Sequence, residues 1–297
     1  MTITTITTTT TAASPPAIII TTPPAVITAT EPRPAPITRQ RSDDVAAVPA
    51  ALRSEWIKLR SLRSTPAMLG VVVVIGVLLS WILATFVKTD PDTHKAFTIG
   101  ETFIFSTWLT TVLAVVMGTL LFTSEVQHGT LSAAVTTRPA RWVIVTAKAA
   151  IGFCLGLAMG IAGMAAGLGG AVLGGLKAGD TSGSLATAMW GLLLTALAPM
   201  LGLGIGLIIR HGAAAITIVL VWALVAENLI KGFAPATFSR FLPFSAATGL
   251  LGIKSAGDNA KTMAAALTRV QDAFLFSGYI VVVIAIGTAL LYRRDAS

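Results

Sequence analysis

Residues 124–148 read SEVQHGTLSAAVTTRPARWVIVTAK, a polar and basic island between two long apolar runs. Glu125, Gln127 and His128 close the first run. Gly129 breaks the pattern, and Thr130 offers an N-cap for a short helix over Leu131 to Thr137. Arg138, Pro139 and Arg141 end that helix and add positive charge. The flanking segments are built for lipid and the island is not. It is expected to be a short helix outside the hydrocarbon, joining two membrane spans.

The composition supports this reading over the whole chain. The 297 residues have a mean hydropathy of +0.81, with 54% hydrophobic and only 11% charged. Soluble domains carry about 25% charged residues, so this chain cannot cover a water-facing surface. The expected fold class is an all-α polytopic membrane protein. A net charge of +8 raises the question of nucleic acid. The charges sit mostly at the ends of apolar runs, however, which suits topology and lipid headgroups instead. Cys154 is the single cysteine, so it has no intrachain disulfide partner, and it is too isolated for a metal site.

Six apolar runs follow Ala50. They are Ala67 to Val87, Thr102 to Thr123, a third within Val143 to Leu176, Leu185 to Ile209, Ala213 to Ile230, and Phe274 to Tyr292. Each comes close to or exceeds the ~20 residues a bilayer requires. With the N-terminus inside, one face receives Arg53, Lys58, Arg60, Arg63, Arg138, Arg141, Lys148, Arg210, Arg293 and Arg294. The short loops of the other face hold Lys88, Lys95 and Lys177, offset by Asp90, Asp92, Glu101 and Asp180. The positive-inside rule then puts both termini, the island and the Arg210–His211 turn in the cytoplasm.

The rest of the chain divides around these runs. Residues 1–50 are rich in Thr, Pro and Ala, and Pro15, Pro16, Pro23, Pro24, Pro32, Pro34 and Pro36 argue against a long helix. They are expected to form a disordered cytoplasmic tail, with residues 51–297 as the membrane domain. In Leu52 to Arg63, the residues Leu52, Trp56 and Leu59 recur at helical spacing among Arg53, Lys58 and Arg60, which predicts an interfacial helix. Gly152, Gly156, Gly160, Gly163 and Gly167 in the third span, and Gly202 and Gly206 in the fourth, are spaced for close helix packing. Residues 231–273 are expected as short re-entrant helices broken by Pro235 and Pro243, with Asp258 capping a second helix striped by Met263, Leu267, Val270 and Phe274. Trp81, Trp108, Phe103, Phe105 and Trp190 mildly favour a lipophilic cargo, although Trp81 reads better as part of an interfacial belt.

Three stretches together resemble the permease subunit of bacterial ATP-binding-cassette transporters of the type-2 export class. They are Arg53 to Ser61 (RSEWIKLRS), Ser124 to Leu131 with Thr137 to Arg141 and Lys148, and Leu242 to Ala246 (LPFSA). The resemblance spans about Leu52 to Arg294. It implies six spans, a second permease copy as membrane partner, and a separate ATPase subunit that binds the ATP, so that this chain needs no cofactor. It also implies that the island, carried here by Glu125, His128, Gly129, Thr130, Arg138 and Arg141, is the coupling surface. The interfacial helix with Arg53, Trp56, Lys58 and Arg60 is implied as a second contact surface. The expected place is the plasma membrane.

The residues also bear on other functional classes. A transporter driven by an ion gradient usually needs ionisable groups near the midplane, and no apolar run carries Asp or Glu at its centre. A membrane scaffold or sensor is a further alternative. For an enzyme, His94, His128 and His211 are scattered, and no catalytic or metal cluster has the required spacing. Ser106, Thr107, Thr110 and Thr111 are the best polar groups inside a span, and are expected to hydrogen-bond their own helix.

Overall fold

The computed structural model describes residues 37–61, 64–86, 99–129, 141–176, 184–252 and 266–294. Helix α1 (Ile37–Ser61) precedes the first span, α2 (Ser64–Phe86). Then come α3 (Ile99–Gln127), α4 (Arg141–Leu173) and α5 (Ser184–Ile209). The fifth span is α6 (Gly212–Val221), a π turn at Trp222–Ala226 and α7 (Glu227–Phe233). Two short helices, α8 (Ala236–Ser239) and α9 (Pro243–Leu251), lead towards the last span, α10 (Arg269–Arg294). Among the described residues six helices are long and apolar enough to cross a membrane, and there is no strand. The expected all-α, six-span architecture is observed.

Helices α3, α4 and α5 form the centre of the bundle, while α2, the fifth span and α10 are far less buried. Small residues allow the central helices to touch. Gly118 of α3 lies against the Pro199 backbone, and Gly202 of α5 against the Val115 carbonyl. A methyl group at either place would overlap main chain. Pro199 has no N–H, so the Thr195 carbonyl one turn earlier has lost its helical donor. That carbonyl faces Gly156 of α4, where the missing side chain lets the helices meet. Polar residues on α3 are buried as well. Thr110 and Thr111 donate to the Ser106 and Thr107 carbonyls, within their own helix as expected. Ser106 instead reaches across to the Gly163 carbonyl of α4, at 2.9 Å.

Several boundaries differ from the sequence expectation. Helix α1 begins at Ile37, ahead of Leu52, and runs through Pro49 within the stretch assigned to the tail. One proline removes one backbone donor from a helix without necessarily ending it. The last span begins at Arg269 rather than Phe274. Val270 and Phe274 therefore belong to that span and not to a separate re-entrant helix; Asp258 and Met263 lie outside the described residues. A reciprocal cap fixes the new start. Gln271 N–H donates to Thr268 Oγ1, and Thr268 N–H donates to Gln271 Oε1.

Candidate functional site

The helix ends that carry the basic residues gather at one end of the bundle, and there α1 is docked rather than merely adjacent. Ala51 and Leu59 are buried on its inner face, with Ala51 packed against Val143 and Ala147 of α4. Glu55 lies one turn from each, on that same face. Trp56 and Ile57 point outward, exposed beside Arg53 and Arg60. The expected stripe of Leu52, Trp56 and Leu59 is thus divided. At 100° per residue Trp56 sits at the edge of the stripe, and the bundle takes the side centred on Ala51, Glu55 and Leu59.

Glu55 enters a network of four charges from three helices. Lys148 of α4 is buried, with 2% of its side chain exposed, and its Nζ lies 2.9 Å from Glu55 Oε2 and 2.8 Å from Glu125 Oε1. Lys58 completes the ring from the water side, 2.7 Å from Glu55 Oε1 and 2.9 Å from Glu125 Oε1. Lys148 also donates to the Leu121 carbonyl at 3.4 Å. Burial opposes charge on Glu55, but Lys148 and Lys58 outweigh it and hold its pKa below the ordinary carboxylate value. For Lys58 burial opposes charge too, and the hydrogen bonds to Glu55 and Glu125 overcome it and raise the pKa. Two positive and two negative charges alternate, so each buried ion has an opposite neighbour.

The same end contains two further fasteners. Arg141 Nη1 donates to the Leu291 and Tyr292 carbonyls at 2.9 and 3.1 Å, and its guanidinium lies 5.2 Å from the Tyr292 ring centre. Those carbonyls are at the C-terminus of α10, where helical acceptors lack donors and the dipole is negative. Arg141 thus ties the start of α4 to the end of α10. In the tight turn between α5 and α6, Arg210 adopts a left-handed φ of 58°, and His211 Nδ1 accepts the Ala214 N–H to cap α6.

The island residues therefore separate by role. Glu125 and Arg141 are engaged inside the chain. His128 is exposed, with Nδ1 2.7 Å from the Ser124 carbonyl, so that nitrogen carries the proton. Gly129 has a φ of 69°, the left-handed conformation that ends a helix with least strain in glycine, and it stops α3 as its position suggested. Thr130 and Arg138 lie outside the described residues, as does the expected helix over Leu131 to Thr137. Sequence reasoning missed Glu55 as a site residue, and placed Lys148 in the island motif and among the topology charges without naming it as a site residue. The available signal was Glu55 at helical spacing between Ala51 and Leu59, on the face that also carries Leu52. Among the described residues no cluster of His, Cys, Asp or Glu could hold a metal ion.

The model of the ABC-2 family transporter proteins matches residues 51–227, from the inner face of α1 to the start of α7. No curated protein and no solved structure matches the chain. The matched stretch covers more than half of the chain and contains the whole four-charge network, and with its six spans this protein is a multi-pass membrane protein of the ABC-2 transporter family, a permease component of an ABC transporter.

Proposed function

We propose that this permease is the membrane subunit of an ATP-driven exporter, moved by a separate ATPase subunit that grips the segment between α3 and α4. The carrying observation is the Glu55–Lys58–Glu125–Lys148 network, which joins α1 to the end of α3 and to α4, the two helices that bound that segment in sequence. A push on a loop does work on a membrane helix only if the loop is mounted stiffly. Charge-assisted hydrogen bonds between three helices supply such a mount. In this reading Glu125 and Arg141 anchor the lever, while His128, Gly129, Thr130 and Arg138 meet the ATPase. The outward Arg53, Trp56 and Arg60 meet lipid headgroups or the same partner. ATP is bound and hydrolysed by the partner, and a second permease copy completes the translocation path. The setting is a bacterial plasma membrane with both termini in the cytoplasm.

Purification from native membranes in mild detergent tests the reading. An ATP-binding subunit should co-elute with this chain. Charge reversal at Arg138 should weaken that association while leaving insertion intact. Recovery of the chain without any ATP-binding subunit, or labelling that places His128 on the extracytoplasmic face, would overturn it.

A further inference from the structure

At the other end of the bundle, Glu227 is the first residue of α7 and follows directly on the π turn Trp222–Ala226. Its side chain is buried, with 1% of the residue exposed. Oε2 accepts the Phe244 N–H at 3.0 Å. Phe244 is in the first turn of α9, whose N-cap, Leu242, has no side chain to satisfy the free N–H groups there. Glu227 performs that capping from a different helix, with a charge of the sign that a helix N-terminus favours. Lys231, one turn further along α7, lies 3.8 Å from Oε1. The preceding turn is held from α10, where the Tyr279 hydroxyl donates to the Phe241 carbonyl at 2.7 Å.

The π turn is what aims this carboxylate. Such a turn contains one residue more than an α turn, and each residue advances the helix by ~100°. If Trp222–Ala226 tightened to an α ladder, Glu227 would swing by about that angle and leave Phe244. We propose that the π turn and Glu227 form a latch that holds α9 against the fifth span, and that π-to-α conversion releases it to open this end of the permease. Glu227 is thus a positioning residue for transport. The proposal uses the family membership and not the identity of the motor, and its test needs neither ATPase nor nucleotide.

The test is cysteine labelling in lipid nanodiscs, where reagent reaches both faces. In a Cys154→Ser background, Ala247→Cys reports on α9, because Ala247 is fully buried on that helix and its side chain takes no part in the Glu227 contacts. A polar maleimide should label it slowly. Glu227→Ala should raise the rate roughly tenfold, and Glu227→Gln, which keeps an acceptor for the Phe244 N–H, should stay within about twofold of the parent. An unchanged rate in Glu227→Ala, or a glutamine variant as fast as alanine, overturns the latch. A second reporter at buried Ala147, at the basic end, should stay unlabelled in every variant. Labelling there would mean general loosening and would overturn the proposal equally.

Discussion

The two ends of the bundle bury carboxylates in opposite ways. At the basic end, Glu55 and Glu125 face Lys148 and Lys58 at 2.7–2.9 Å, in contacts that join three helices. At the far end, Glu227 faces the backbone N–H groups of Phe244 and Ser245 and the Ser245 hydroxyl, all on α9, with a lysine 3.8 Å away in its own helix. The first arrangement is over-determined, since losing one contact leaves others in place. The second joins its two helices through neutral donors of one α9 turn, with no cation from another helix among the described contacts. The difference in electrostatic bracing is what the proposed roles of the two ends, a stiff mount and a releasable latch, rest on.

The comparison breaks most sharply at Lys148. Lys148→Ala leaves Glu55 and Glu125 close together with only the half-exposed Lys58 to balance them. Removing one partner from a buried ion network costs about 3–5 kcal/mol, and that loss should appear in thermal unfolding of the purified permease. A loss of under about 1 kcal/mol would show that the network is solvated in practice and is no stiffer than the Glu227 contact.

Arg141 should matter less. Arg141→Met removes two bonds to the α10 C-terminus, and hydrogen bonds to charged groups contribute about 1.5–3 kcal/mol. Hydrogen exchange should quicken in the last turn of α10 and remain unchanged around Glu227. Quickening at both ends would mean that they are not mechanically distinct.

The smallest effect is that of pH. The Glu55 pKa is depressed in the fold, so its contribution is present above the ordinary value of 4.5 and is lost as pH falls through the lower folded value. The Lys58 pKa is raised, so its contribution is present below 10.5 and is lost as pH rises through the folded value. Unfolding temperature should therefore be level between these limits and fall outside them. Glu55→Gln should flatten the acid limb, and an unaltered acid limb would remove Glu55 from the ionic brace.

Much of the architecture was legible beforehand because a bilayer imposes one length on every crossing. The six apolar runs, the glycine spacing and the helix stop at Gly129 all follow from local chemistry that any lipid-embedded helix must obey. The last span was misplaced by one turn because its first residues, Arg269 to Asp272, are polar enough to read as loop. Thr268 and Gln271 carry the capping pattern that could have corrected it. In the island, Glu125 was recognisable as a polar contact but its partners were not. Glu55 is 70 positions upstream of Glu125 by residue number, and Lys148 lies 23 positions downstream of it at the island's far end. Nothing local distinguishes a carboxylate about to be buried from one facing water.

What the sequence alone determined is the solvent of each segment: which stretches enter lipid, how many there are, and where helices stop. Hydropathy and backbone preference act over one or two turns, and they suffice for that. Only the tertiary structure decided which charges meet. Coulomb attraction and hydrogen bonding act over a few ångströms of space without regard to distance along the chain. It brought Glu55 to Lys148 and Arg141 to the end of α10. It also turned Glu227 towards α9, because helix packing fixes those distances and the order of residues does not.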